Sequence, residues 1–372
     1  MISNTIAAVD LHQLVENYRL IREAAGTRTL CIVKADAYGH GAIPCARALR
    51  EAGADYFGVA ALSEAIALRK AIDDAPILIL GYTAPENASY LQQYRITQNV
   101  FSLEYARRLS AAIPDGTVDC HLKLDTGMNR LGFRADRAEE LEEAVEAIGL
   151  PHLRFTGMFT HFACADMPLS SQMTAQQNRY FMQAETYFAE RGLELGLHHV
   201  SNSAAVVNYP EVTRDMVRGG ILLYGFAPSE ETGTLGCRPV MTLTTTISHV
   251  HTLRPGDSVG YGATFTAEQP MRIATLCIGY ADGFVRAYSG ANSRSGVRGS
   301  VYINGMEAPL VGRICMDQCA ADVTHIPDVR PGMTAVVFDK VHTAERFAAA
   351  ANTISYEVTS ILTPRVERVY DK

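Results

Sequence analysis

The chain has 372 residues, more than the roughly 250 to 300 at which a single core usually divides, so two domains are expected. With 48% apolar and 20% charged residues it is too hydrophobic for disorder, and no apolar run approaches the ~20 residues needed to span a bilayer. A formal net charge of -7 and the lack of any basic block exclude a general attraction for nucleic acid or anionic lipid, so an anionic ligand needs a site of its own.

Residues 1–8 carry neither the positive start nor the long apolar stretch of a secretory signal, and the expectation is a cytoplasmic protein with reduced thiols. The eight cysteines are scattered, and the closest pair, Cys315 and Cys319, has no second pair at zinc-site spacing. No metal centre and no disulfide framework is expected.

Apolar residues at Leu11, Leu14, Val15, Tyr18 and Ile21 recur at helical spacing after a capping Asp10 and stop before Gly26, which predicts a first helix. From there to residue 225, short β-branched runs alternate with helical patterns. The runs at 30–34, 56–60, 77–80, 99–101, 120–124, 155–162, 199–201 and 216–223 are eight candidate strands, and 135–148 is a helix with its acidic residues outward. This predicts an α/β fold, a (β/α)8 TIM-like barrel over residues 1–232; a six-stranded doubly wound sheet leaves two units unplaced. Residues 230–239, with two glycines and a proline, punctuate the chain. Beyond them Thr alternates with apolar residues over 241–250. Turn signals at Pro255-Gly256-Asp257, Asn304-Gly305 and Pro331-Gly332 separate further short strands, predicting a β-rich C-terminal domain over 233–372.

Barrel chemistry sits at the C-terminal ends of the strands. Lys34 ends the first candidate strand after Cys31, Ile32 and Val33, where partial desolvation lowers an amine's pKa and favours a Schiff base with an aldehyde. A lysine that merely snorkels from a strand end is the other reading. An anionic group would be met by backbone and hydroxyls after strands seven and eight, at Asn202-Ser203 and Arg218-Gly219-Gly220-Ile221. Alone, Arg218 reads as a structural ion-pair partner, and Tyr261, between Gly260 and Gly262, as a packing residue at a turn.

The run VKADAYGHG (33–41) resembles the cofactor motif of the alanine racemases, a family of pyridoxal-phosphate (PLP) enzymes. KLDTGMNRLG (123–132), RGGI (218–221), SVGYGAT (258–264), YADG (280–283), GRICMDQ (312–318) and NTISYE (352–357) resemble the same family in family order, over residues 9–368. The resemblance implies PLP on Lys34, its phosphate held by Tyr38, Ser203, Gly220, Ile221 and Tyr356, with Arg218 facing the pyridine nitrogen. A guanidinium stays protonated and cannot give that nitrogen a full proton, so the ring is a weak electron sink, suited to racemisation rather than transamination or decarboxylation. Racemisation needs a base on each face of the α-carbon. The resemblance supplies Lys34 for one and Tyr261, lent by the partner subunit of a homodimer, for the other. A tyrosine with an ordinary pKa of about 10 requires a cationic neighbourhood, an influence that His161 relays from Arg218.

Arg130 suits a substrate carboxylate and the cofactor's phenolic oxygen. The resemblance further implies that Met316, with Cys315 and Asp317, touches substrate from the partner subunit, and that Tyr280 and Asp282 line the entrance. Lys123 is a candidate for carbamylation, which would orient Arg130; an unmodified lysine paired with Asp125 is the other reading.

The function expected from the resemblance is interconversion of L- and D-alanine, supplying D-alanine for cell-wall peptidoglycan, with neither nucleic acid nor membrane as partner. Tyr356 favours alanine, since related serine racemases tend to have Asn there. The alternatives are a serine or broad-specificity racemase, or a non-enzymatic PLP-binding protein, whose single-barrel family lacks counterparts of Tyr261 and Met316. Decarboxylases on the same plan carry a carboxylate where this chain has Arg218. The chain departs from the family pattern at Asp36, where Asn is usual, and at Gly219, where proline or a larger residue is common.

Overall fold

The computed structural model describes residues 3–167, 172–289 and 297–371. The chain forms two compact units, one of Leu14–Ala37 and Ala42–Arg238, the other of Met1–Gln13, Tyr38–Gly41 and Pro239–Lys372. The single cut expected at residue 232 thus falls at 238, and the N-terminal residues expected in the barrel belong to the β-rich unit. The physical reason is the first strand, β1 (Thr5–Asp10), whose backbone pairs with two strands of that unit.

The first unit carries β2 (Arg28–Ile32), β3 (Tyr56–Val59), β4 (Ile77–Ile79), β5 (Thr97–Val100), β6 (Val118–Asp125), β7 (Phe133–Arg134), β8 (Leu153–Phe159), β9 (Leu197–His199) and β10 (Met216–Gly219). Eight of them lie side by side and parallel in the order β10-β2-β3-β4-β5-β6-β8-β9, with β7 appended to β6. No ladder joins β9 to β10, but the Arg218 N–H donates to Ser201 O at 2.9 Å and nearly closes the ring. This is the expected barrel, and strands such as β3 and β4 are buried on both faces, as helix-covered parallel strands must be. Helix Leu11–Ala25 starts where Asp10 Oδ1 accepts the Gln13 N–H at 2.8 Å, and buries Leu14, Tyr18 and Ile21. Helix Ala138–Ile148 starts three residues later than expected, because Phe133 and Arg134 first pair with β6.

Among the strand ends that differ from expectation, three bear on the site. β2 stops at Ile32, so Lys34 lies beyond the ladder; β8 stops at Phe159, leaving Thr160, His161 and Phe162 in the following loop; and Ile221–Tyr224 is a 3-10 turn.

In the second unit the sheet runs β14-β17-β16-β15-β18-β11-β1-β19, naming β11 (Met241–Leu253), β12 (Ser258–Val259), β13 (Phe265–Thr266), β14 (Met271–Leu276), β15 (Ser300–Ile303), β16 (Met306–Val311), β17 (Cys319–Asp322), β18 (Thr334–Phe338) and β19 (Glu367–Asp371). β14 also pairs with the second half of β11, closing six strands into a ring. The alternation read over 241–250 appears as inward and outward positions along β11, and Asn304-Gly305, both at positive φ, turns β15 into β16. β12 and β13 form a separate ribbon, whose Val259 and Phe265 pack with Leu253, Met271, Ile273 and Val311. Among the described residues no helix is long and apolar enough to cross a membrane.

Candidate active site

Lys34 opens a turn of uncommon hand. Ala35, Asp36, Ala37 and Tyr38 have φ of 51°, 53°, 55° and 54°, a left-handed conformation that costs roughly 1 to 2 kcal/mol per non-glycine residue. Hydrogen bonds within the turn and from the neighbouring helix hold it. The Ala37 N–H donates to Val33 O at 2.9 Å, the Ala35 N–H to Glu64 Oε1 at 2.7 Å, and the Ala42 N–H to Asp36 Oδ1 at 2.7 Å. The aspartate that stands in place of the family's asparagine therefore keeps the acceptor oxygen that the turn uses. The other oxygen of Glu64 accepts from the Ala60 and Ala61 N–H groups at 2.8 and 3.2 Å. Gly39, at φ +85°, continues the turn where a Cβ would stand 2.0 Å from Thr359 O, so no larger residue fits. Burial, then the charge of Arg130, pushes the half-buried Lys34 amine below the ordinary lysine range; Glu64 pulls it up and Arg218 lowers it further.

Arg218, on β10, is buried with no carboxylate among its hydrogen-bond partners. Nη1 donates to His199 Nδ1 at 3.0 Å and His199 O at 2.9 Å; Nη2 donates to Thr160 O at 2.8 Å, Val200 O at 2.7 Å and His161 Nδ1 at 3.2 Å. Every acceptor is neutral, and Nε is engaged by no described residue. His161 thus touches Arg218, and burial with the charge of Arg218 holds its ring well below the ordinary imidazole range. Facing a guanidinium that has only donors, Nδ1 is the accepting nitrogen.

Lys123, on β6, is buried; Nζ donates to Leu124 O at 2.6 Å and lies 5.4 Å from the centre of the Phe159 ring. Burial pushes its pKa from 10.5 to about 7, Asp125 pulling up and Arg218 and Arg130 pushing down. The ion pair with Asp125 considered from the sequence does not form: the Asp125 oxygens accept the N–H groups of Gly127, Asn129 and Arg130 at 2.8, 3.1 and 3.0 Å. Those bonds shape the loop that carries Arg130, which is exposed and whose guanidinium has no hydrogen-bond partner among the described residues. Ser203 begins a short helix capped by Asn202, whose Oδ1 accepts the Ala205 N–H at 3.0 Å. The N–H groups of Gly220 and Leu222 converge on Ser203 Oγ at 3.0 and 3.5 Å, and Ile221 opens the adjoining 3-10 turn.

In the β-rich unit, Tyr38 and Tyr356 face each other with ring centres 6.0 Å apart. Tyr261 stands at the tip of the β12–β13 ribbon, 71% exposed. Gly262 lies beside the Arg313 guanidinium, which a Cβ would approach to 2.8 Å. The loop of Cys315, Met316 and Asp317 is tied to that of Tyr280 and Asp282 by Tyr280 N–H to Cys315 O (3.0 Å) and Ala281 N–H to Met316 O (2.9 Å). Met316 and Tyr280 are exposed and Asp282 is buried. Arg365 bridges the two loops, reaching Asp282 Oδ1 at 3.0 Å and Asp317 Oδ1 at 2.8 Å.

The sequence reading missed Glu64, His121, His199 and Arg365. Each had a faint signal: Glu64 sits one turn into a helix after β3, the two histidines lie on apolar strands, and Arg365 follows Pro364. Nothing in their spacing ties them to Lys34 or Arg218. No group of three or more His, Cys, Asp or Glu able to hold a metal lies among the described residues.

Residues 9–228 match the family model "Alanine racemase, N-terminal domain", and residues 240–370 match "Alanine racemase, C-terminal domain". Similar curated proteins include alanine racemases of Desulfovibrio desulfuricans, 42% identical over 98% of this chain and 97% of that protein, and of Clostridium tetani, 39% identical over 98% and 94%. Similar solved structures include the biosynthetic alanine racemase of Pseudomonas aeruginosa (34% identity, TM-score 0.88, covering 100% of both chains). Another is the alanine racemase of Bacillus anthracis with bound L-Ala-P (30% identity, TM-score 0.91, covering 100% of this chain and 96% of that one). Matched in both of its domains and over nearly all of its length, the chain belongs to the alanine racemase family and is an isomerase of that family.

Proposed function

We propose that the enzyme interconverts L- and D-alanine with PLP held on Lys34, and that its D-alanine serves peptidoglycan. The observation that carries this reading is Arg218, buried in the barrel among neutral acceptors with Nε left over, near enough to Lys34 for its charge to act on the amine. The donor set fits the group: Ser203 Oγ and the N–H groups converging on it suit a phosphate, and Nε of Arg218 suits a ring nitrogen. Bound there, PLP supplies an electron sink that acidifies the substrate's α-hydrogen.

The chain's own residues then divide the work. Lys34 holds the cofactor and, with its pKa lowered, takes or returns the proton on one face. Tyr261 of the partner subunit does the same on the other face, and its exposure in the single chain is what a residue lent to a second subunit requires. Ser203, Gly220 and Ile221, with Tyr38 and Tyr356, hold the phosphate. Arg218 donates a hydrogen bond to the ring nitrogen and keeps its own proton. Arg130 takes the substrate carboxylate, and carbamylated Lys123 turns a buried cation into an anion that orients it. His161 carries the influence of Arg218 toward Tyr261. Met316, Cys315 and Asp317 touch substrate from the partner, while Tyr280 and Asp282 line the entrance. The L-Ala-P bound by the Bacillus anthracis relative supports alanine as the amino acid.

The test mixes two inactive variants, Lys34→Ala and Tyr261→Phe, after dissociation and reassembly. A symmetric dimer with shared sites gives mixed dimers one intact site and one doubly damaged site, so activity should return to about a quarter of the parent's on L-alanine. Mixed dimers that form yet stay inactive would show that both residues act within one chain.

A further inference from the structure

Arg218 is held from behind by two histidines that no part of the proposed chemistry uses. A guanidinium has only donors, so His199 Nδ1, 3.0 Å from Nη1, must present a lone pair. The proton of neutral His199 then sits on Nε2, 3.0 Å from His121 Nδ1. His121 Nδ1 accepts in turn, which leaves the His121 proton on Nε2. Arg218 thus fixes, from one end, the direction of a two-ring hydrogen-bond chain.

The surroundings keep both rings neutral and in place. Both are fully buried. Burial pushes His121 down to about 3, with Asp119 the charge that pulls it up, and Asp119 is occupied by Arg154. Burial and Arg218 hold His199 well below the ordinary range, and His121, His198 and Lys123 push the same way. Phe159 stacks on His199 at 4.7 Å and 4°. Gly157 makes room for His121, since a Cβ there would meet the ring at 2.5 Å. His121 Nε2 has no hydrogen-bond partner among the described residues, and the ring borders a cavity of about 330 Å³ lined also by Tyr56, Arg69, Thr97 and Asp119. That cavity lies at the N-terminal ends of the strands, across the barrel from Lys34.

We propose that His199, backed by His121, is a positioning residue for Arg218: the chain occupies Nη1, and with the carbonyls and His161 on Nη2 it leaves Nε–H as the single donor free to meet a cofactor ring nitrogen. This rests on the PLP reading of Arg218 given above. Proton order along the chain matters as much as shape, because a His199 carrying its proton on Nδ1, or on both nitrogens, would turn a donor against the guanidinium.

The test uses the PLP-loaded enzyme labelled with 15N-histidine. Both rings should appear as neutral Nε2–H tautomers that do not titrate between pH 6 and 9, a readout that needs no variant. His199→Phe, which removes the acceptor, should lower kcat/KM by about tenfold to a hundredfold and weaken PLP retention comparably, the scale of a lost hydrogen bond to a charged group. His199→Asn, whose Oδ1 falls near the position of Nδ1, should recover most of both. An Nδ1–H tautomer or an imidazolium in the parent would overturn the proposal, as would a folded His199→Phe with unchanged kcat/KM and PLP dissociation constant. Failure of the PLP reading looks different: the parent would take up no PLP at all, whatever its tautomers, and the proposal would fall with it.

Discussion

Replacing Lys123 by methionine should make the enzyme more stable, by an amount that depends on pH. The side chain is buried, and burial lowers its pKa from 10.5 to about 7. The unfolded chain holds this proton up to the ordinary lysine value, the folded chain only up to about 7. Between those limits unfolding takes up a proton, so Lys123 opposes folding fully below pH 7 and progressively less as pH rises. At pH 7 the two states differ by about 3 pH units of proton affinity, or about 4 kcal/mol; at pH 9 by about 1.5 units, or about 2 kcal/mol; above roughly pH 10.5 the difference is gone. Methionine fills similar space without ionising, so in CO2-free buffer Lys123→Met should gain about 4 kcal/mol at pH 7 and about 2 kcal/mol at pH 9 by urea unfolding. Bicarbonate supplies the second arm. A neutral amine attacks CO2, forming an N–C bond and releasing a proton, and the resulting carbamate anion is attracted to Arg130 and Arg218. The parent should therefore gain stability with bicarbonate while Lys123→Met does not. A variant no more stable than the parent at pH 7, or a gap that fails to narrow by pH 9, would refute the buried-cation argument; a parent indifferent to bicarbonate would refute carbamylation.

Gly157→Ala drives a methyl to within 2.5 to 2.7 Å of three His121 ring atoms, and overpacking of that kind should cost roughly 1 to 3 kcal/mol, read as a lower urea midpoint. Glu64→Ala removes the carboxylate that accepts the Ala35, Ala60 and Ala61 N–H groups, so the left-handed turn at Lys34 should loosen and PLP should dissociate about tenfold faster, followed by its visible absorption. Glu64→Gln, which keeps one acceptor oxygen, should fall between that variant and the parent.

The barrel was legible because each βα unit repeats two periodicities, and eight repeats leave little choice of architecture. Residues 1–13 were misplaced because β1 alternates like any half-buried strand, and only its partners β11 and β19, more than 200 residues away, say which sheet it joins. Lys34, Arg218 and Tyr261 were singled out through motifs that are contiguous in sequence. Glu64, His199 and Arg365 were not, because the bonds that tie them in, to the Ala35 amide, to the Arg218 guanidinium and to two aspartates, join residues far apart in sequence. The left-handed turn itself had no signal: Ala35, Asp36 and Ala37 are ordinary residues for a right-handed helix, and tertiary bonds from Glu64 and Ala42 override that preference.

On the proposed function, a protein of net charge -7 has to attract a phosphate and a carboxylate to one end of its barrel, and that end withholds counterions. There the charges of Arg130 and Arg218 push the amines of Lys34 and Lys123 down, and that of Arg130 lowers Arg218. The carboxylates nearest them, Glu64 and Asp125, spend their oxygens on backbone N–H groups, three bonds each, rather than on ion pairs. Arg218 is satisfied by carbonyls and imidazoles alone. The positive potential is therefore left uncompensated within the barrel although the chain is acidic overall, and the proposed anionic ligands would be its counterions. Burial first, and then the neighbouring cations, hold Lys34, Lys123 and His161 low. Clustered cations raise the cost of each further proton, which adds to burial in favouring the basic form of the amine proposed to act on carbon. Binding of anions and basicity of lysine are thus one property of this barrel end. Any substitution that gives a cation here a carboxylate of its own should weaken both together.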